Sequence, residues 1–103
     1  MKTLEKLDLR GTKVCDISPL ESLTELKQLD LRDTRVGNIS ALKNLRELRR
    51  LDIGGTEVRD ISPLGMLKKL VELNLSGTEV SRFDTDWLKR ESPGLMVYAN
   101  KDS

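Results

Sequence analysis

The sequence predicts an α/β repeat solenoid, with a parallel β-sheet on one side and 3₁₀ or short helical turns on the other. Two observations lead to this prediction. Apolar residues recur at a fixed spacing of 22 residues through nearly the whole chain. Within each repeat the apolar spacing changes from two residues, as in a strand, to three residues, close to the 3₁₀ period. Such a repeat buries its apolar edge only by stacking on the next one.

The strand part of each repeat carries two apolar columns that are two residues apart. The first column consists of Leu7, Leu29, Leu51, Leu73 and Leu95. The second column consists of Leu9, Leu31, Ile53, Leu75 and Val97. After each strand the chain must turn a corner, and residues that tolerate a backbone φ above zero occupy that position. They are Gly11, Asp33, Gly55 and Gly77.

The opposite side of each repeat has an apolar residue at every third position, which favours 3₁₀ or short helical turns. One such series is Ile17, Leu20, Leu23 and Leu26, and the column of Ile17 continues with Ile39, Ile61 and Phe83. The serines of Ser18-Pro19 and Ser62-Pro63 are predicted to cap these turns with their hydroxyls, with proline at the first helical position. Ser40 keeps the cap without the proline.

The pattern L-x-x-L-x-L-x-x-T-x-V-x-D-I-S-P-L resembles the leucine-rich-repeat family. The repeat length of 22 residues, together with D-I-S-P-L, is similar to the subfamily of the bacterial internalins and the protein phosphatase regulators. The resemblance covers residues 1–83 closely and the rest loosely. It implies a right-handed coil with a parallel concave β-sheet and a convex side of 3₁₀ or short helical turns. The resemblance also implies that the chain binds other proteins.

One column departs from the family pattern, in which asparagine is usual. This chain is a threonine variant, with Thr12, Thr34, Thr56 and Thr78 in that column. In the family the asparagines tie the backbones of adjacent coils together, and a buried threonine hydroxyl can replace only part of that bonding. We therefore expect a less rigid bend.

The ends of the chain are predicted to differ from the middle. The whole chain, residues 1–103, is predicted to be a single domain of about four to five repeats with a C-terminal capping unit at residues 84–103. In that unit Trp87 is expected to plug the core, the alternative being a ligand contact. No N-terminal cap is recognisable, because Met1 already aligns with the core column of Leu23. Leu4 and its strand neighbours would face outward, which favours truncation of a longer protein over cover by another chain.

Composition and motifs argue against several function classes. Lys and Arg total 18 against 17 Asp and Glu, so no basic excess indicates nucleic acid. No signal peptide and no run of roughly 20 apolar residues is present, so we expect no membrane partner. One cysteine, Cys15, and no histidine leave no zinc site, no cofactor motif and no catalytic constellation, and favour the cytoplasm. Cys15 is expected to be a surface thiol, or else to form an intermolecular disulfide.

The concave face is predicted to carry three exposed columns. The central column is Asp8, Asp30, Asp52, Asn74 and Met96; one flank is Lys6, Gln28, Arg50 and Glu72, and the other is Arg10, Arg32, Gly54, Ser76 and Tyr98. Neighbouring strands lie about 4.8 Å apart, so stacked aspartates repel each other unless cations intervene. The column of stacked aspartates is therefore expected to form a self-neutralised charge network, to bind basic groups of a partner, or to bind calcium. The flanking arginines are unfavourable for calcium binding.

The leading functional hypothesis is a module that binds another protein on its concave face. The predicted binding residues are Asp8, Arg10, Asp30, Arg32, Asp52, Asn74, Met96 and Tyr98. Tyr98 would stand over Gly54 and Ser76 as an anchor, or else complete the cap together with Met96. Two alternatives remain open: an assembly element that self-associates through its open N-terminal repeat, and a fragment of a larger regulatory or host-interaction protein.

Overall fold

A computed structural model describes residues 3–99 and contains one five-stranded parallel sheet in the order β1-β2-β3-β4-β5. The strands are Lys6–Asp8 (β1), Gln28–Asp30 (β2), Arg50–Asp52 (β3), Glu72–Asn74 (β4) and Met96–Tyr98 (β5). Each strand pairs with the next one along the chain, as the stacking of repeats predicts. The predicted repeat solenoid is confirmed. Met1 and residues 100–103, to which the sequence assigned a core position and part of the cap, lie outside the described residues.

The register of the first four strands follows the repeat, whereas that of β5 does not. Leu7, Leu29, Leu51 and Leu73 are aligned across β1–β4. In β5 it is Val97, and not Leu95, that aligns with Leu73. The prediction for the last strand was therefore wrong by two residues. The reason is that the last unit contains an α-helix, which takes up two more residues than the 3₁₀ turns of the other units.

The convex side of the first three repeats consists of 3₁₀ turns, which confirms the prediction from the spacing of three. They are Ser18–Ser22 (η1), Ser40–Asn44 (η2) and Ser62–Met66 (η3). The predicted serine caps are wrong, because the cap residues are Ile17, Ile39 and Ile61, and none of them caps its turn with a side-chain hydrogen bond. Instead, each serine donates its backbone N–H to the side chain two residues earlier. The acceptors are Asp16, Asn38 and Asp60, at 3.0, 2.9 and 2.9 Å.

The last unit contains the α-helix Arg82–Glu91 (α1), which begins with a side-chain cap. The Ser81 hydroxyl accepts from the backbone N–H of Asp84 at 3.2 Å. The helical period then turns Thr85 and Leu88 into the core, whereas Phe83 is 86% exposed. The predicted place of Phe83 in the column of Ile17, Ile39 and Ile61 is therefore wrong, because the 22-residue repeat does not continue into this α-helix. Trp87 is partly buried against the core, where the sequence placed it.

The core runs between the sheet and the convex turns, and it is complete only in the middle of the stack. In the second and third repeats the column leucines are fully buried, with Leu26, Leu48 and Leu67 at 0% exposure. In the first repeat most of their counterparts are only partly buried. These are Leu4, Leu7, Leu9, Val14, Leu20 and Leu23. Within residues 3–99, the first repeat is therefore less well covered than the repeats that follow it.

The corner after each strand has the predicted positive φ, which is +74° at Gly11, +59° at Asp33, +68° at Gly55 and +78° at Gly77. The threonine that follows donates its hydroxyl to the carbonyl three residues earlier, at 2.7 Å in Thr34 and Thr56. This bond lies within one coil. Adjacent coils are joined at the bend by backbone bonds instead, from Arg35 N–H to the Val14 carbonyl and from Glu57 N–H to the Val36 carbonyl, both 3.0 Å.

Candidate functional site

A trough of about 410 Å³ lies along the concave face of the first four strands. Because side chains alternate along a strand, the first and third residue of each three-residue strand share this face. The polar side chains of the trough are Lys6, Asp8, Gln28, Asp30, Arg50, Asp52, Glu72 and Asn74. The site therefore combines two of the three predicted columns.

The aspartate column is fixed by hydrogen bonds to the turn that follows each strand. One carboxylate oxygen of Asp8, Asp30 and Asp52 accepts the backbone N–H two residues later, at 3.0, 3.0 and 2.9 Å. Asn74 makes the same bond to Ser76 at 2.9 Å. Such a bond satisfies a backbone donor where the strand ends. Each aspartate thus uses one oxygen for the fold and presents the other one at the surface.

Arginines neutralise the remaining carboxylate oxygens. Arg32 lies 3.5 Å from Asp30 and 3.6 Å from Asp52, so one guanidinium bridges two strands. Arg10 lies 3.5 Å from Asp8, two residues earlier in the chain, and forms an ion pair with it. The Nε of Arg32 is buried, and its contact to Asp52 is too long for a hydrogen bond. The charges of this column are therefore paired and held in a fixed arrangement.

The second column of the trough is less constrained. Arg50 and Glu72 form an ion pair of 3.6 Å between adjacent strands, and both side chains are largely exposed. Gln28 is neutral. Lys6 makes no ion pair with any residue in the described range 3–99. This column therefore offers polar groups whose removal disturbs no backbone hydrogen bond.

The predicted site residues divide into three groups. Asp8, Asp30, Asp52 and Asn74 line the trough. Arg10 and Arg32 border it through their ion pairs with the aspartates. Met96 and Tyr98 lie on β5, outside the trough, and are 58% and 46% exposed.

The position predicted for Tyr98 is wrong. Because β5 is shifted, Tyr98 aligns with Asn74 in the central column, and Met96 aligns with Glu72 in the flanking column. The Tyr98 ring therefore does not continue the column of Gly54 and Ser76. The residues missing from the predicted site are Lys6, Gln28, Arg50 and Glu72, which line the trough. The alternation of β1–β4 already placed them on this face, and only their inclusion in the site was missed.

The remaining features of the surface give no indication of chemistry. Cys15 is exposed and free. Between residues 3 and 99, no group of three or more acidic, cysteine or histidine side chains is arranged to hold a metal ion. Over the same range, no helix is long and apolar enough to cross a membrane.

Residues 2–44 match the family model described as Leucine Rich repeats (2 copies). Among solved structures, an internalin (inlF) of Listeria monocytogenes is similar, with a TM-score of 0.87 and 26% identity over 98% of this chain and 31% of that one. An internalin C2 (inlC2) of the same organism has a TM-score of 0.79 and 29% identity over 96% and 53% of the two chains.

A leucine-rich-repeat protein of Leptospira interrogans shares the fold, with a TM-score of 0.80 and 22% identity over 91% of this chain and 25% of that one. The chain therefore spans between a quarter and about half of the length of these structures. No curated protein matches the sequence.

Proposed function

We propose that this chain, whose residues 2–44 match a leucine-rich-repeat model, binds another protein through the trough on its concave face. Leucine-rich-repeat domains are generally protein-protein interaction modules, and the family is typically non-enzymatic. The observation that carries the proposal is the trough itself, since four strands place eight polar side chains on one concave surface. The curvature of a repeat stack creates an extended concave surface of the kind that repeat proteins use for binding.

The fixed arrangement of the aspartate column supports the proposal. Its side chains are held by backbone hydrogen bonds and by the bridging guanidinium of Arg32. Because these side chains are already ordered in the free chain, less conformational entropy is lost when a partner binds to them. The paired charges favour a partner segment that carries both hydrogen-bonding groups and charge over one that is simply basic.

Met96 and Tyr98 extend the proposed site beyond the trough. Both are exposed on β5, next to Glu72 and Asn74 at the C-terminal end of the concave face. Aromatic and methionine side chains are enriched among the energetic anchors of interfaces. We therefore assign the polar recognition to the trough and the apolar anchoring to β5.

The test uses two matched ion pairs. The partner is first isolated by affinity capture from the cells that make the protein, and its affinity is then measured by calorimetric titration. Arg50→Ala combined with Glu72→Ala removes the trough pair, and we expect binding to weaken about tenfold or more. Arg59→Ala combined with Glu79→Ala removes an exposed pair of similar length, 3.3 Å, outside the trough.

The control variant keeps the wild-type affinity if the trough is the site. Equal affinities of the two double variants and the wild type would place the partner elsewhere on the molecule. The contribution of β5 is tested separately by Tyr98→Ala and Met96→Ala, each expected to cost about 1 to 3 kcal/mol of binding energy.

A further inference from the structure

The outer edge of β1 is an unpaired sheet edge beside an incompletely covered core. Strand β1 pairs with β2 on one side, and no strand of the described residues pairs with its other side. Leu4, Leu7 and Leu9 of this first repeat are partly buried, whereas Leu26, Leu29 and Leu31, one repeat later, are 0%, 2% and 0% exposed. A sheet edge with free backbone groups next to apolar side chains is a surface on which another strand can pair.

The repeat geometry identifies which backbone groups are free on that edge. In β2, the N–H of Gln28 donates to the Glu5 carbonyl at 3.0 Å, and the carbonyl of Asp30 accepts from Leu9 N–H at 2.8 Å. The residues at these positions therefore face the preceding strand. In β1 the same positions are held by Lys6 and Asp8. Their N–H and carbonyl groups face away from β2, toward the open edge.

We propose that this edge binds a second copy of the chain, with the two β1 strands antiparallel and Leu7 on the twofold axis. In that register Lys6 of one copy lies opposite Asp8 of the other, and Asp8 lies opposite Lys6. Both pairs then exchange backbone hydrogen bonds, because these are the residues whose polar groups face the edge. The strand sequence Lys-Leu-Asp is thus complementary to itself when it is reversed.

The charges select this register over its neighbours. Because side chains alternate along the strand, a register that keeps the apolar faces together can change only in steps of two residues. The adjacent registers place Lys6 opposite Lys6 or Asp8 opposite Asp8, and like charges directly opposite each other are destabilising. The register centred on Leu7 is therefore the favourable one of the three.

The same register brings the two half-covered cores together. Opposed residues of antiparallel strands lie on the same face of the sheet, so the two Leu7 side chains meet on the core side. A twofold axis perpendicular to the sheet also keeps both convex sides together, so the first-repeat side chains Leu4, Leu20 and Leu23 face the open end of the other copy. The assembly is isologous and closed, with ten strands in one sheet.

Sedimentation velocity over a concentration series, at low salt, tests the proposal. We expect wild-type chains to show a monomer–dimer equilibrium. Lys6→Asp gives an edge with two acidic groups and Asp8→Lys an edge with two basic groups, and each alone should weaken dimerisation at least tenfold. An equimolar mixture of these two variants should recover dimers, because every opposed pair is then of opposite charge. Far-UV circular dichroism verifies that each variant is folded.

Lys43→Asp makes the same charge change at an exposed position of η2 and should leave the dimer unaffected. A wild-type chain that stays monomeric at millimolar concentration would overturn the proposal. It would also be overturned by single variants that dimerise as well as the wild type, or by a mixture that stays monomeric while the wild type dimerises. Lys6 and Asp8 also line the trough. Self-association is nevertheless measured without a partner protein, so its result does not depend on the binding proposed for the trough.

Discussion

The ring of Trp87 lies directly over Gly65, so that a Cβ at position 65 would come within 2.7 Å of a ring carbon. Gly65 belongs to η3, and the equivalent positions of η1 and η2 carry Glu21 and Lys43. The missing side chain therefore leaves the space in which the indole of α1 docks on the last 3₁₀ turn.

Gly65→Ala is expected to destabilise the fold by about 1 to 3 kcal/mol, because the docked ring must shift. Gly94→Ala is the matched control, since nothing lies within 4 Å of a Cβ at that position. Urea unfolding of both variants gives the comparison. The cost of Gly65→Ala should shrink when Trp87 is replaced by Leu, and the same cost in both backgrounds would contradict the docking.

The left-handed corner after each strand predicts a graded response to substitution. Gly55 has a φ of +68°, and a Cβ there would also collide with a carboxylate oxygen of Asp33, whereas at Gly11, with a φ of +74°, it would meet no atom within 4 Å. Both substitutions should destabilise because of the positive φ, and Gly55→Ala slightly more, because the Asp33 carboxylate must also turn aside. Asp33→Gly should stabilise, because it removes a non-glycine residue from a φ of +59°. Denaturation midpoints of the three variants rank these effects.

The position of a leucine in the stack should determine how much its side chain contributes to stability. Leu51 is 2% exposed in the middle of the sheet, and truncation to Ala should cost about 2 to 5 kcal/mol. Truncation of Leu7, at the partly covered end, should cost less stability in a monomeric chain, because water already reaches this side chain. Urea unfolding at low protein concentration measures both. Equal costs would mean that the first repeat is as well covered as the third.

Two aspartates accept a backbone N–H at the start of a convex turn, and they predict that the stability of the fold depends on pH. The backbone N–H of Ser18, and then its side chain, hold the pKa of Asp16 below its usual 3.8, and Ser62 does the same for Asp60. A lowered folded-state pKa means that the stabilisation is present above the unfolded pKa and is lost as the pH falls through the folded one. The loss should therefore begin below about pH 4.

Asp16→Asn combined with Asp60→Asn should flatten this part of the profile, because an amide accepts the same bond without titrating, as Asn38 does in η2. Urea midpoints between neutral pH and the acid limit follow the effect. A double variant with the same acid slope as the wild type would show that other carboxylates cause the loss.

The sequence was sufficient for the regular part of the fold because the repeat is a direct consequence of packing. Each leucine in a strand column must be buried against its counterpart in the next coil, so the spacing of 22 residues predicts both the strands and their register. The period of three on the other side gave the 3₁₀ turns for the same reason. The two columns of the trough, across β1–β4, followed from alternation alone.

The last strand could not be placed from the sequence because its pattern fits two registers. Leu95 and Val97 are both apolar and are two residues apart, so a shift of two leaves every side chain on the same face. Only the length of α1 decides between the registers, and helix ends are poorly determined by composition. The error then moved Tyr98 and Met96 by one column each.

The serine caps failed for a different reason. Serine before proline is typical of a helix start, but the side chain two residues earlier can reach the same backbone N–H. Asp16 and Asp60 make this bond in the structure. The extent of the trough, in turn, depends on how the sheet curves across β1–β4, and no residue pattern encodes that curvature directly.

The threonine hydroxyls of the bend have a consequence for how a chain of this kind changes its length. Each one donates to a carbonyl of its own coil, such as Thr34 to Leu31 and Thr56 to Ile53. Duplication or loss of one whole coil therefore leaves no hydroxyl without its acceptor, and the backbone bonds between neighbours re-form in the same register. A chain with one coil more or fewer should therefore keep all of these bonds, and its concave sheet would be longer or shorter by one strand.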